Sequence, residues 1–401
     1  MGTMLSKLLL IYGFLFSLPL IILNVLPFGL KLDDLVMMVI LFFLVIFNFK
    51  SGVRINKYIL LFISVSAFFS ILAFLNSSIN IKEYMGDNSV TVFLRVIQSL
   101  LIILLFSMIY SNPVFLGSIY KGFIFGSSIS LIIFLYYLAI HIDLSKFIDR
   151  GVYFTKDIFQ YTDDTPFTVH VNTLGSFFLI SFFLIFFKSN TWIGKLTSFI
   201  FLLPSFLLIA KGDLVAIFVF FMCLYLGKSK VRRLYLYGFI SSCLVFFPVI
   251  LSFYSSLREY RVYTSERDGI YLGAFYRIFE NPFGYGLGSQ NNIIYDAVGV
   301  NFPAHNIFLS IGLEFGWFYL FFVMTFLFLC FFKSKKIDNK NKLVFICYLI
   351  IGLFGNAMYF YKYHTVALTI SMLSLWGGAQ YERMLYIKQK RYKWAQYCSA
   401  K

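Results

Sequence analysis

The stretch YILLFISVSAFFSILAFLN, residues 58–76, contains no charged side chain. A helix of about 20 mostly apolar residues is long enough to cross the hydrocarbon core of a bilayer. This segment therefore predicts a membrane-spanning helix.

The rest of the chain has the same apolar character. Of its 401 residues 60% are hydrophobic and 13% are charged, and the mean hydropathy is +0.82. That is about half the charge of a usual soluble domain, and a soluble core cannot absorb so much apolar surface. We predict an all-α, polytopic transmembrane helical bundle of about twelve spans. They are placed near 8–26, 34–49, 58–76, 91–109, 115–140, 171–187, 196–210, 214–227, 235–253, 306–332, 343–360 and 365–380.

The charged residues indicate an orientation. Alternate connections hold clusters of Lys and Arg, for example Lys228–Arg233, Lys333–Lys342 and the tail after Glu382, whereas the other connections carry most of the acids. By the positive-inside rule the basic set is cytoplasmic, so both termini are predicted to be cytoplasmic. The net charge of +16 is then a topology signal, and no nucleic acid is expected as a partner.

No internal repeat or soluble domain is evident, so residues 1–401 are predicted to form a single integral membrane domain. Two outer loops remain. The smaller covers residues 141–170, and the larger covers 254–304, between spans 9 and 10, with short helices expected inside it.

The larger loop contains four arginines on the side where the positive-inside rule disfavours cations. They are Arg258, Arg261, Arg267 and Arg277. Neighbouring acids such as Glu280 could pair with them in solvent. The alternative is an anionic ligand, because guanidinium groups suit phosphate well.

One of these arginines is distinguished by its position. Ser265 followed by Asp268 resembles a capping box, which predicts a helix running from there toward Glu280. In that helix Arg267 shares a stripe with Ile270, Ala274 and Ile278. A charge on the packed face is costly without a partner, which makes Arg267 a candidate site residue.

The helix is followed by Asn281-Pro-Phe-Gly-Tyr-Gly-Leu-Gly288, where glycines allow close backbone approach or the presentation of N–H groups to an anion. His305-Asn306 then stands where the loop re-enters the membrane. A histidine at a helix start is usually interfacial or capping, but it can also serve as a general base near neutral pH.

Further candidates lie on other segments. Glu314 is an acid within a predicted span, which is either functional or paired with Arg95 or Lys121. Lys211 begins a short outer turn, Lys211-Gly212-Asp213, where it could pair with Asp213, meet lipid headgroups or complete a phosphate site. The smaller loop adds Arg150 and His170.

Other chemistries have little support in the sequence. No histidine or carboxylate pair has a convincing metal-ligand spacing, so no metal is expected. No phosphate-loop or dinucleotide motif is present, and no cofactor is expected. The five cysteines form neither a disulfide framework nor a metal motif.

The run Arg267-Asp-Gly-Ile-Tyr, then Asn281-Pro-Phe-Gly-Tyr-Gly, then His305-Asn306 resembles the O-antigen ligase/polymerase superfamily. These multi-span proteins transfer glycans from an undecaprenyl pyrophosphate carrier at the periplasmic face. By this resemblance Arg267 and His305 match the family arginine and histidine. Ala210-Lys211-Gly212 looks like the family's Ser-Arg-Gly turn, with alanine and lysine as departures.

The resemblance implies a metal-independent membrane glycosyltransferase in the bacterial inner membrane, with its active site facing the periplasm. Arg267 and His305 would be catalytic, with His305 as general base. Lys211, Arg258, Arg261, Arg277 and Asn306 would bind the pyrophosphate or the substrate, with Glu314, His170 and Arg150 as further candidates. The implied partners are an undecaprenyl-pyrophosphate-linked oligosaccharide and membrane lipids, with a chain-length regulator as a candidate protein partner.

Three functions are compatible with this picture. We expect an O-antigen polymerase, because the Lys211 turn departs from the arginine associated with ligases. An O-antigen ligase acting on lipid A–core is the close alternative. A polysaccharide-lipid flippase ranks lower, because a transporter is expected to show repeats and several charges at mid-membrane.

Overall fold

A computed structural model describes residues 2–19, 31–51, 57–80, 89–109, 112–143, 145–146, 148, 152–161, 165–167, 171–189, 191–208, 211–226, 267–299, 304, 306–333 and 346–352. This described part is 88% α-helical, which confirms the predicted helical class.

Fourteen α-helices lie within those ranges. They are α1 (Gly2–Phe16), α2 (Leu32–Ser51), α3 (Lys57–Asn80), α4 (Ser89–Ile109), α5 (Pro113–His141), α6 (Val152–Tyr161), α7 (Val171–Lys188), α8 (Trp192–Ser198), α9 (Leu203–Leu207), α10 (Lys211–Leu226), α11 (Arg267–Glu280), α12 (Gln290–Val298), α13 (Ile307–Phe315) and α14 (Trp317–Lys333). A 3₁₀ segment, Phe199–Leu202, joins α8 to α9.

Three of these helices contain segments long and apolar enough to cross a membrane: Lys57–Ser77, Ser89–Ile109 and Val114–His141. Shorter apolar helical segments accompany them at Gly2–Phe16, Thr173–Phe186, Trp192–Leu207, Gly212–Met222 and Trp317–Leu329. The protein therefore has transmembrane character. The count of about twelve spans and the side of the termini stay predictions. Two predicted spans, 235–253 and 365–380, lie outside the described residues, as does most of 343–360.

The first predicted span, 8–26, differs from the helix that forms. Helix α1 starts earlier and ends at Phe16, where Ser17 closes a turn by donating its N–H to the carbonyls of Gly13 and Phe14. Pro19 follows directly, and proline cannot continue the helical hydrogen-bond ladder. Hydropathy alone does not detect this stop because the residues beyond it are equally apolar.

Small residues bring α1 and α5 into close contact. Ser118, Gly122, Gly126 and Ser130 recur every fourth residue on α5, and a Cβ on Gly122 would lie 2.0 Å from the Leu10 carbonyl oxygen. Ser130 Oγ donates to the Ser17 carbonyl at 2.8 Å. Such small-residue faces let helix backbones approach closely in a membrane.

The predicted span 306–332 is two helices. Helix α13 ends at Phe315, Gly316 adopts φ 87°, and α14 begins at Trp317. A Cβ on Gly316 would lie 2.1 Å from the Pro282 carbonyl oxygen. The helix is interrupted because the chain around Pro282 packs into the break.

Candidate functional site

Helix α11 forms where the sequence predicted it, from Arg267 to Glu280. The apolar members of the predicted stripe, Ile270, Ala274 and Ile278, are each at most 2% exposed. They form a buried cluster with Ala304, which lies shortly before α13, and with Leu313, which lies near the end of α13. The stripe is thus confirmed as the packed face. The Arg267 side chain and the predicted cap at Ser265 lie outside the described residues.

Helix α11 packs directly on α13. A Cβ on Gly312 would lie 2.6 Å from Ile278 Cδ1, so the isoleucine occupies the space that the glycine leaves open. The helix that starts at Arg267 is therefore fixed against the helix that starts after His305 and Asn306.

The glycine-rich segment Asn281–Gly288, here called the glycine turn, is inserted between α3 and the α13–α14 break. The N–H groups of Tyr285 and Gly286 donate to the carbonyls of Leu313 and Glu314 at 2.8 and 3.2 Å. The N–H of Leu287 donates to the carbonyl of Ala73 in α3 at 3.2 Å. Of the two uses expected for the glycines, close backbone approach is the one observed here.

Gly284 shows why this turn needs glycine. It adopts φ 76°, and a Cβ on it would lie 2.4 Å from the Glu314 carbonyl oxygen and 2.5 Å from the Gly316 nitrogen. A side chain would thus be disfavoured by the backbone conformation and by two backbone atoms of the break. The turn and the break fit together as one junction.

Glu314 is the acidic side chain of this junction. It is 1% exposed, and its Oε1 accepts the N–H of Gly288 at 3.3 Å while its carbonyl accepts the N–H of Gly286. The acid predicted inside a span therefore holds the end of the glycine turn. Neither the functional role nor the pairing with Arg95 or Lys121 is tested by these contacts.

Asn306 begins α13 as its N-cap. Its Oδ1 accepts the backbone N–H groups of Phe308 and Leu309 at 2.9 and 3.2 Å. These bonds satisfy two of the donors that every helix start leaves open. His305 lies outside the described residues, between the buried Ala304 and this cap.

Arg277 forms an ion pair with Glu280 on the surface of α11. Its guanidinium nitrogen lies 2.8 Å from Glu280 Oε2, and Tyr285 Oη donates to the same oxygen at 3.3 Å. The hydrogen bond from Arg277 lowers the pKa of Glu280 and raises that of Arg277. This is the pairing that the sequence offered as an alternative to anion binding, and the anion-binding role of Arg277 stays a prediction.

The Lys211 segment is the first turn of α10, and the Lys211 side chain lies outside the described residues. Asp213 is 1% exposed, and its Oδ1 accepts a hydrogen bond from Ser176 Oγ in α7 at 2.7 Å. From the sequence, Asp213 was expected to do no more than pair with Lys211. The signal that could have marked it is an acid directly before a long apolar run.

Two further buried acids, Asp33 and Asp34, were also not singled out. Asp34 accepts hydrogen bonds from the Lys31 N–H at 2.8 Å and from Gln98 Nε2 in α4. In the described part of the chain, no three His, Cys, Asp or Glu side chains converge as metal ligands.

Arg150, His170, Arg258 and Arg261 lie outside the described residues. The packing of α11 on α13 brings four of the predicted site residues to these two helices. They are Asn306, Glu314, Arg277 and, by its backbone, Arg267.

Comparisons with protein-family models, with curated proteins and with solved structures find no match for this chain. The helical content and the apolar helices define the class as a helical membrane protein.

Proposed function

We propose that this protein is an O-antigen polymerase, which transfers a growing glycan from undecaprenyl pyrophosphate to a carrier-linked repeat unit at the periplasmic face. The observation that carries the proposal is the packing of α11 against α13 through Ile278 and Gly312. It joins the element that begins at Arg267 to the element that follows His305. These are the two residues that the sequence motif singles out.

The reaction breaks the bond between the donor sugar's anomeric carbon and the pyrophosphate oxygen, and it forms a glycosidic bond to the acceptor hydroxyl. His305 accepts the proton of that hydroxyl as general base. Arg267 and Lys211 stabilise the negative charge that develops on the departing pyrophosphate, which preorganised cations do effectively in a site shielded from water. Arg258, Arg261, Arg277 and Asn306 are further candidates for holding the donor.

The glycine turn gives this site a rigid base. Its N–H groups from Phe283 to Gly288 all donate to acceptors within the protein. Because those N–H groups already have hydrogen-bond acceptors, in this proposal the pyrophosphate is bound by side chains. The proposal thus depends on the cations named above.

The test is the lipopolysaccharide pattern of a deletion strain that carries single variants. His305→Ala and Arg267→Ala should each leave core plus one repeat unit, because the repeat unit is still flipped and ligated but not extended. Asp296→Asn, an exposed acid on α12, is the matched control and should restore the full ladder. Membrane levels of each variant are compared by immunoblot, so that loss of protein is not read as loss of activity.

Other gel patterns point to the other functions. Bare core with long glycan retained on the carrier would indicate the ligase that transfers to lipid A–core. Repeat units stranded on the cytoplasmic face would indicate a flippase. Normal ladders in both point variants would refute the catalytic assignment.

A further inference from the structure

Helix α11 has two apolar faces, and the described part of the chain buries one of them. The stripe of Ile270, Ala274 and Ile278 is buried against α13. The opposite face contains four large apolar side chains at helical spacing that are more than half exposed. They are Leu272 at 59%, Phe275 at 51%, Tyr276 at 67% and Phe279 at 52%. We call these four residues the outer face of α11.

Such a face is unusual for a loop helix in water. A fully buried aromatic side chain covers about 150–250 Å² and each of these is half exposed, so the outer face presents several hundred Å² of apolar surface. Exposed patches of that size on soluble proteins mark contacts with a partner or a membrane. The ion pair Arg277–Glu280 is separate from it, since both residues lie between the two apolar faces by the 3.6-residue period.

The position of the C-terminal end of α11 is constrained by α13, which α11 contacts, and by α3, which the glycine turn contacts. Ile278 packs on Gly312, six residues into the α13 region from its cap at Asn306, which is about 9 Å along the axis at 1.5 Å per residue. The glycine turn that follows α11 bonds to Ala73, seven residues before the end of α3 at Asn80, or about 10 Å from that end. In the predicted orientation Asn306 and Asn80 lie toward the outer surface. These contacts then place the C-terminal end of α11 and the glycine turn below the outer ends of α13 and α3.

A further exposed aromatic residue follows α11 in the glycine turn and lies beside the exposed side of α14. Phe283, which is 50% exposed, lies next to Phe318 with ring centroids 5.5 Å apart. Beyond Phe318, the exposed side chains of this apolar helix continue with Phe321, Met324 and Phe328. An exposed apolar stripe on a helix of a membrane protein faces lipid. Phe283, three residues after the end of α11, brings the chain that follows the outer face to this stripe.

We infer that α11 is an interfacial helix whose outer face rests among the lipid acyl chains of the outer leaflet. Amphipathic helices of this kind sit about 5–10 Å into the boundary between headgroups and acyl chains, which agrees with the depth set by Gly312 and Ala73. Non-helical backbone at this depth must be satisfied by protein, and the glycine turn meets that condition. The segment from Arg267 to Gly288 is thus partly embedded in the bilayer. This inference does not depend on the proposed transfer reaction.

The experiment is site-directed spin labelling of the full chain in lipid nanodiscs, in a background whose five native cysteines are replaced by alanine. Phe275→Cys and Phe279→Cys report on the outer face, and Leu272→Cys serves if either fails to insert. Asp296→Cys on α12 is the matched control for an exposed polar position. Collision rates are measured with oxygen, which concentrates in lipid, and with a water-soluble nickel chelate.

We expect the ratio of oxygen to nickel collisions to be several-fold higher at 275 and 279 than at 296. Equal ratios at all three positions would overturn the inference, because the outer face would then be in water. Low collision rates with both reagents at 275 and 279 would also overturn it, since another protein segment would then cover the face. Spin–spin broadening between labels at 275 would indicate a second copy as the occupant, which contradicts a lipid contact.

Discussion

The substitution Gly284→Ala tests whether the glycine turn is locked into the α13–α14 break. At φ 76° a residue with a Cβ loses about 1–2 kcal/mol relative to glycine. The new Cβ would also lie 2.4 Å from the Glu314 carbonyl oxygen and 2.5 Å from the Gly316 nitrogen. Forcing extra volume into a packed region costs about 1–3 kcal/mol, so the total destabilisation expected is about 2–5 kcal/mol.

Two other glycines separate these contributions with the same chemical change. Gly299 has φ 73° but nothing within 4 Å of its Cβ position, so Gly299→Ala should lose just the backbone part, about 1–2 kcal/mol. Gly117 lies inside α5 with open space around it, and Gly117→Ala should stabilise the helix by about 1 kcal/mol.

The assay is thermal unfolding of the purified variants in one detergent, followed by intrinsic fluorescence. The melting temperature should be highest for Gly117→Ala, followed by wild type and then Gly299→Ala, and it should be lowest for Gly284→Ala. If Gly284→Ala melts at or above the temperature of Gly299→Ala, the turn is not packed against the break and the junction described here is wrong.

Three further outcomes follow from the contacts described above. Glu314→Gln keeps an oxygen for the Gly288 N–H and should melt close to wild type. Glu314→Leu leaves that donor unpaired and should lose about 1–3 kcal/mol of unfolding free energy. Equal melting temperatures for the two variants would show that Glu314 does not anchor the glycine turn. Gly122→Ala places a Cβ 2.0 Å from the Leu10 carbonyl oxygen and should cost about 1–3 kcal/mol in the same melt, against the stabilising Gly117→Ala on the same helix. Glu280 has a lowered pKa because Arg277 pairs with it, so its small stabilising contribution should be complete above the ordinary glutamate pKa of about 4.3 and disappear as the pH falls through the lower folded-state pKa. The difference in melting temperature between wild type and Glu280→Gln, measured from pH 7 to pH 3, should shrink over that acidic range, and a difference that grows on acidification would contradict the pairing.

The helix at 267–280 could be predicted from the sequence because its signals are local. The spacing of Ile270, Ala274 and Ile278 identifies the packed face without knowledge of what it packs against. The position of Asn306 at a helix start is equally local, and the structure finds it capping α13.

The break at Gly316 could not be predicted in the same way. Residues 306–332 are apolar enough to suggest one continuous span, and the break depends on the carbonyl of Pro282 and the N–H groups of Tyr285 and Gly286, which lie about 30 residues earlier in the chain. Hydropathy reports which residues avoid water, but it does not report which segment supplies the hydrogen bonds of an interrupted backbone.

The partners of the buried acids were difficult to predict from the sequence for a related reason. The sequence marked Glu314 as unusual but did not identify Gly288 as its partner. It gave no role to the contact between Asp213 and Ser176, because two residues on different helices become neighbours through packing alone. Long-range pairing of this kind depends on how the helices pack in the folded protein.

The most direct test of the proposed function is synthesis in proteoliposomes that contain the purified protein and an undecaprenyl-pyrophosphate-linked repeat unit as the one substrate. We expect a ladder of carrier-linked glycans with release of undecaprenyl pyrophosphate, and we expect His305→Ala to abolish the ladder while Asp296→Asn retains it. Failure to extend the repeat unit, combined with transfer of a carrier-linked glycan once lipid A–core is added, would contradict the polymerase proposal and identify a ligase.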